Sequence, residues 1–115
     1  MKEVIFVDFV KPSINLYKAT GFFQRLRGLI GKRSLPEGYG LLIAPCNSIH
    51  MLFMRFPIDA IFIDKDFRIK KIVANLPTWF GFAFCLEAWA VIEMNAGEAS
   101  RLNLAVGQLL AVEWI

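Results

Sequence analysis

Cysteine and histidine are scarce in this sequence, which holds two cysteines and a single histidine among 115 residues. Cys46 and Cys85 cannot build the multiple-disulfide framework of a small secreted domain, so we expect reduced, buried thiols. Clustered Cys and His ligands are also missing, so we expect no bound metal. Any catalytic triad would have to use His50, because the chain offers no other imidazole.

Long apolar runs and nucleotide-binding glycine patterns are missing too. The longest hydrophobic stretch, residues 79–92, is interrupted by Glu87 and is shorter than the roughly 20 residues that a membrane-spanning helix requires. The eight glycines form neither a dinucleotide-binding motif nor a phosphate loop, and no Gly-x-Ser-x-Gly elbow occurs. We therefore expect no cofactor and no transmembrane segment. The acids around the short apolar stretch at residues 4–7 are unlike a secretion signal, which predicts a cytoplasmic protein.

Apolar residues are abundant: they make up 57% of the chain, against 20% charged residues. The length predicts a single domain over residues 1–115. Such a domain has too little interior for all these side chains, so some should face a groove for a small molecule, a protein partner, a second copy or a membrane. The net charge of +3 is concentrated in a basic segment, residues 25–33. Because no nucleic-acid motif accompanies these charges, we interpret the segment as a solvated helix face.

Hydrophobic periodicity predicts a mainly β fold. Eight β-prone runs, at residues 3–9, 14–18, 41–44, 48–56, 58–64, 68–73, 82–94 and 109–114, predict a fold of about seven strands. The mixed polarity of residues 68–73 is typical of a strand at a sheet edge. Helical spacing predicts an amphipathic helix from Thr20 to Ile30, and a short helix over residues 97–102. This pattern favours a β-sandwich or a partly open barrel, with an α+β fold as the alternative.

Three sequence blocks carry a resemblance to a known family. They are Arg25-Leu26-Arg27-Gly28-Leu29 with Leu35-Pro36, the run from His50 to Asp64 that contains Met-Arg-Phe-Pro-Ile-Asp, and the run from Ala90 to Gly97. Together with residues 104–108, they resemble the domain of unknown function 192 family over residues ~20 to 112. The resemblance implies a compact, mostly β fold and no established activity.

The chain departs from the family pattern at two positions. Phe67 stands where the family commonly has a glycine after the hairpin aspartate, so we expect a looser or bulged turn there. Gln108 stands where the family commonly has an aspartate, which removes a carboxylate and weakens any role for that position.

Asp59 is a lone acid in an apolar run, residues 56–63, and burying its charge would be costly unless donors or a cation meet it. It could orient a ligand or act as a general base; alternatively, it could be a structural acid that accepts bonds from backbone N–H groups. We favour the structural role. Pro57 predicts a strand end, edge or bulge, and we expect Asp59 to be buried and bonded to backbone N–H groups, to Arg55, or to both.

Two hypotheses of function remain open. The first is a non-catalytic domain that binds a small molecule or a protein segment near the Met54–Asp59 block, with five candidate ligand-binding residues: His50, Met54, Arg55, Asp59 and Trp79. The alternative is a small hydrolase-like enzyme that uses Asp59 with His50 or Cys46. Strand alternation would place Phe80, Phe82 and Phe84 on one face, either lining a cleft or partner surface, or buried as an aromatic row.

Overall fold

The computed structural model describes residues 2–7, 13–19, 35 and 38–114. The predicted helix from Thr20 to Ile30 lies outside the described residues. Within them the chain forms nine strands and one short helix: β1 (Lys2–Val7), β2 (Ser13–Ala19), β3 (Tyr39–Ile43), β4 (Ser48–His50), β5 (Ile58–Ile63), β6 (Ile69–Leu76), β7 (Phe82–Phe84), β8 (Ala90–Asn95), α1 (Glu98–Arg101) and β9 (Ala111–Trp114).

Seven strands form one mixed sheet in the order β6-β5-β8-β3-β2-β1-β9. Neighbouring strands are antiparallel except for the parallel pair β2 and β3. The two edge strands, β6 and β9, approach each other at one end, where an isolated bridge joins Arg68 to Leu109. The described part of the sheet is therefore partly open and not a closed barrel. The predicted mainly β fold is confirmed, as is the position of residues 68–73 at a sheet edge.

Side chains on the two faces of the sheet build two apolar clusters, because successive residues of a strand point in opposite directions. Strand β5 sends Ile61 and Ile63 into one cluster and Ala60 and Phe62 into the other. All six of its residues are buried, since β6 and β8 flank it and both faces are covered. Residues of α1 close the first cluster, and residues of the 51–56 loop close the second.

A separate two-stranded sheet, β4 with β7, lies against the second cluster through Ile49 and Ala83. It corrects two predicted strands. The strand predicted over residues 48–56 ends at His50, because the Met51 carbonyl accepts the N–H of Met54 and turns the chain. The strand predicted over residues 82–94 is divided into β7 and β8 by a turn at residues 85–89. Both runs are apolar enough for strands, but hydrogen-bonded turns interrupt them.

The turn between β5 and β6, which was expected to be looser or bulged, meets the second of these alternatives. It is not loosened: the N–H of Asp64 donates to the Arg68 carbonyl at 3.0 Å, and the N–H of Phe67 donates to the Asp64 carbonyl at 3.0 Å. Phe67 itself adopts the left-handed conformation that the family gives to glycine, with φ of 66°. The expected bulge is present as a register shift between Phe62 and Ile63.

The Asp64 side chain reinforces this turn. Its Oδ1 accepts the N–H of Asp66 at 2.9 Å and the N–H of Arg68 at 3.0 Å. The Arg68 N–H, with smaller contributions from Asp66 and the charge of Lys70, lowers the pKa of the Asp64 carboxyl. An aspartate at the start of the turn thus supports the unusual backbone of Phe67.

Candidate binding surface

Asp59 is buried in β5, with 1% of its surface exposed, and backbone N–H groups surround its carboxylate. Its Oδ1 accepts the N–H of Asn75 at 2.8 Å, and its Oδ2 accepts those of Gly97 at 3.0 Å and Ala99 at 2.9 Å. Arg55 is exposed and is not one of the donors. The expectation of a buried acid bonded to backbone groups is confirmed.

The partners of Asp59 explain why its burial is tolerated. The pairing of β5 with β6 slips between Ile58 and Ala60, and Asn75, with φ of 53°, lies in the bulge opposite. The N–H of Asn75 lies outside the β5–β6 ladder and donates to the Asp59 carboxylate instead. The same carboxylate accepts hydrogen bonds from the N–H groups at the start of α1. The N-cap residue, Gly97, provides no side-chain hydrogen bond there. Asp59 therefore joins β5, β6 and α1 through charge-assisted bonds.

Met54 is buried as well, while His50, Arg55 and Trp79 are exposed. Met54 packs in the second apolar cluster with Met51 and Phe56. His50 lies on β4, where its Nδ1 accepts the N–H of Leu52 at 3.3 Å. Within the described ranges, no hydrogen bond joins His50 to Asp59. The structure thus separates the five candidate residues into a buried pair and an exposed group of three.

The most prominent feature of the surface is a group of five exposed aromatic side chains, which we call the aromatic face: Phe53, Trp79, Phe80, Phe82 and Phe84. Phe80 is 94% exposed. The rings of Phe53 and Trp79 meet edge to face with centroids 5.2 Å apart, and those of Phe82 and Phe84 are 6.1 Å apart. Ala83 points into the core between them. The expectation of aromatic residues sharing one face of this strand is confirmed for Phe82 and Phe84, and the buried alternative is wrong.

Cross-strand pairing gives Phe82 and Phe84 two polar neighbours on β4. His50 is paired with Phe82, and Ser48 with Phe84, so these side chains share the outer side of the two-stranded sheet. The bond from Leu52 to the His50 ring brings the loop that carries Phe53 to the same side. Lys71 borders the other end: its Nζ lies 5.2 Å from the centre of the Phe84 ring and donates to the Phe84 carbonyl at 2.8 Å.

Two loops hold Phe53 and Trp79 in place, and Met51 joins them. The Met51 carbonyl accepts N–H groups from Met54 and Trp79, and its own N–H donates to Gly81 at 2.9 Å. Phe53 and Trp79 have φ of 65° and 66°, a left-handed conformation that is uncommon for aromatic residues. The surrounding bonds therefore maintain a backbone conformation that presents two large apolar rings to solvent.

Some features of this surface were not foreseen. The sequence does not single out Phe53 or Lys71, because residues 48–56 have the composition of a strand and Lys71 meets Phe84 only through the fold. Cys46 and Cys85 form no disulfide, and each is only half-buried, which corrects the expectation of buried thiols. The Cys46 thiol donates to the Ser48 carbonyl at 3.1 Å.

Other parts of the described chain offer weaker candidates for a functional site. An open cleft of about 660 Å³ has Cys46, Asp64, Asp66 and Glu87 in its lining, which includes none of the five candidate residues. Among the described residues, no three His, Cys, Asp or Glu side chains come together as a metal site. No helix in the same residues has the length and apolar character needed to cross a membrane.

The fold and surface define a strand-rich domain that exposes aromatic side chains and contains a buried carboxylate bound by backbone N–H groups. The chain belongs to the domain of unknown function 192 family (DUF192), described as Uncharacterized ACR, whose model matches residues 6–112. The resemblance recognised in the sequence is thereby confirmed. No curated protein matches the chain.

Two solved structures are similar to the chain. A "putative transcription regulator" from Sinorhizobium meliloti 1021 is 23% identical, with a TM-score of 0.84, over 98% of this chain and 92% of that one. A protein of unknown function from Novosphingobium aromaticivorans DSM 12444 is 24% identical, with a TM-score of 0.82, over 97% of this chain and 84% of that one. Identities this low show the shared fold alone.

Proposed function

We propose that this chain is a non-catalytic binding domain and that the aromatic face holds a segment of a protein partner. The observation that carries the proposal is the exposure of five aromatic rings, among which Phe53 contacts Trp79 and Phe82 contacts Phe84. Soluble proteins rarely leave apolar patches of more than a few hundred Å² in water unless the patch serves an interaction. Phenylalanine and tryptophan also supply much of the binding energy in protein interfaces.

A protein segment fits this surface better than a small molecule does. Small ligands are normally enclosed in concave pockets that cover most of their surface. Phe80, at 94% exposure, projects into solvent and cannot enclose a ligand in that way. A larger partner could cover Phe80 together with its neighbours.

The five candidate residues take two roles in this proposal. His50, Arg55 and Trp79 are exposed and would contact the partner. Met54 and Asp59 are buried and would hold the strands and loops that present them. The low cysteine content, with no disulfide between Cys46 and Cys85, supports the further proposal of a reducing, cytoplasmic location, with residues 1–115 acting as one domain.

The proposal is tested by selecting ligands from a random peptide display library with the purified, full-length chain. The wild type should enrich a related set of sequences. The double variant Phe82→Ser/Phe84→Ser should bind a synthetic peptide of that set at least about tenfold more weakly, since each lost ring removes more than about 1 kcal/mol at a central contact. Isothermal titration calorimetry measures the affinity, and circular dichroism checks that the variant remains folded.

Val106→Ser is the matched control. Val106 is 64% exposed but lies outside the aromatic face, so its replacement should leave the affinity unchanged. The proposal fails if the wild type enriches no sequences. It also fails if a folded Phe82→Ser/Phe84→Ser variant binds the selected peptide as tightly as the wild type.

A further inference from the structure

We propose that the partner is an extended peptide that adds a strand to the free edge of β4, with apolar side chains at alternate positions. This inference rests on the proposed function, because it specifies how the aromatic face would be used. Strand addition obtains affinity from main-chain hydrogen bonds and specificity from alternate side chains.

The register of β4 with β7 shows where the free backbone groups of β4 point. The N–H of Cys85 donates to the Asn47 carbonyl at 2.8 Å, and the N–H of Met51 donates to the Gly81 carbonyl at 2.9 Å. In an antiparallel ladder, hydrogen-bonded and non-bonded pairs alternate, so Ile49 also faces its partner Ala83. The backbone N–H and C=O groups of Ser48 and His50 consequently point away from β7.

These outward groups have almost no partners. In the described portion of the chain, the N–H groups of Ser48 and His50 make no hydrogen bond, and the His50 carbonyl accepts none. The Ser48 carbonyl accepts only the Cys46 thiol, which is a weak donor. Ser48 and His50 are both exposed. As far as the described residues go, the edge of β4 therefore offers two N–H donors and one C=O acceptor to an incoming strand.

Other strand edges near the aromatic face are protected. The outer edge of β7 is blocked at Phe84, whose carbonyl accepts Lys71 Nζ. Edge strand β6 carries Lys70 and Lys71, and lysine on an edge opposes pairing with another chain. The residues of β4 are Ser48, Ile49 and His50, with no lysine among them. Protection of the neighbouring edges directs a new strand to β4.

The side chains beside this edge indicate the chemistry of the segment. A strand added next to β4 would place alternate side chains alongside Ser48 and His50, on the side that carries Phe82 and Phe84. Apolar residues at those positions would extend the aromatic face. Arg55 follows β4 by five residues, is exposed and makes no hydrogen bond or ion pair within the described ranges, so an acidic residue in a segment long enough to reach it would meet a complementary charge.

The experiment uses a peptide selected by the display library and the full-length chain labelled with ¹⁵N. Amide hydrogen exchange is followed by NMR with and without the peptide. The amides of Ser48 and His50 should exchange at least about tenfold more slowly in the complex, because each becomes a ladder donor. The amide of Ile49, which faces β7, should change little.

Ser48→Pro tests the same point without labelling. Proline removes the outward N–H of Ser48 and leaves the bonds between β4 and β7 in place, so the peptide should bind at least about tenfold more weakly. Ser48→Ala is the matched control, since it keeps the N–H and should bind normally. If Ser48→Pro does not fold, the exchange measurement on the wild type decides.

Several results would overturn strand addition. Peptide binding with no protection of Ser48 and His50 would contradict it while leaving the binding function intact. Protection that grows with protein concentration in the absence of peptide would identify a second copy as the occupant. Binding to vesicles that contain phosphatidylserine, lost in Phe82→Ser/Phe84→Ser and without any selected peptide, would contradict both proposals and favour a membrane surface.

Discussion

At the scale of single residues, Asp59 binds together pieces of backbone that are far apart in sequence. Its three donors belong to Asn75 in the β6 bulge and to Gly97 and Ala99 at the start of α1. Each donor would otherwise be a buried or half-buried N–H without a partner, which costs about 1–3 kcal/mol. The negative charge also lies favourably against the first N–H groups of a helix turn.

Replacement of Asp59 by Asn should lower the free energy of unfolding by about 1–3 kcal/mol, because an amide offers one acceptor oxygen where the carboxylate offers two. Urea denaturation measures the loss. Asp66→Asn is the control: Asp66 is exposed in the β5–β6 turn, so its change should be close to neutral. An unchanged stability in Asp59→Asn, together with loss of peptide binding, would instead assign Asp59 to the binding surface.

The sequence predicted part of this arrangement. An acid alone in the apolar run of residues 56–63 must find donors, so its burial and backbone bonding followed from the cost of desolvating a charge. The donors themselves could not be identified, because Gly97 and Ala99 come near Asp59 only when β5 pairs with β8 and the chain continues into α1.

At the scale of elements, the loops at residues 51–56 and 77–81 act as one unit. Met51 bonds to both, and Gly81 is buried where they meet. A Cβ on Gly81 would lie 2.5 Å from the Pro77 carbonyl oxygen and 2.7 Å from Met51 Cγ. Glycine is required here by the close approach of the two loops, and not by a left-handed backbone.

Gly81→Ala should therefore lower the free energy of unfolding by about 1–3 kcal/mol, the usual cost of overpacking a well-filled site. Thermal and urea unfolding measure the effect. Gly107→Ala provides a comparison, because Gly107 has open space for a Cβ but a φ of 92°, so its cost of about 1 kcal/mol reports backbone strain. A neutral Gly81→Ala would show that the loops separate easily.

The same loops show why element boundaries were harder to predict than element type. Residues 48–56 are apolar and aromatic, which is typical of a strand, yet the chain turns at Met51. The turn depends on Trp79 N–H and Gly81 C=O, which arrive from a distant part of the sequence. The composition of residues 48–56 does not indicate these partners.

At the scale of the whole molecule, Glu93 makes stability depend on pH. It is 5% exposed and lies on β8 between Leu41 and Ala60 of the neighbouring strands. Desolvation by burial raises the pKa of its carboxyl from 4.5 to about 7. Between these values the folded chain keeps a proton that the unfolded chain has lost.

The free energy of unfolding should therefore fall as the pH rises from about 4.5 to about 7, by about 3 kcal/mol, and Glu93 should contribute no further change above that range. Urea denaturation at pH 5, 6, 7 and 8 measures the slope. Glu93→Gln should remove most of it, whereas the exposed Glu87→Gln should retain it. An equal slope in wild type and Glu93→Gln would contradict this assignment.

Whole-molecule features divide between those that the sequence indicated and those that it did not. Strand runs and the family blocks predicted a mainly β domain, and the mixed polarity of residues 68–73 predicted an edge. The parallel pairing of β2 with β3 was not predicted, because alternation identifies a strand but not its neighbour. Strand alternation predicted that Phe82 and Phe84 share one side of the strand. It did not predict that this side is exposed, because periodicity does not tell which side faces solvent.

The position of β1 between β2 and β9 has a consequence for how the chain is made. Val4 pairs with Trp114, about 110 residues later, so during synthesis β1 must wait for β9 to leave the ribosome before the two strands can pair. Pairing between residues so far apart in sequence slows folding, because the intervening chain must close into a loop before the paired strands stabilise it. During synthesis, one side of β1 remains unpaired, and that interval is when the nascent chain is most exposed to aggregation.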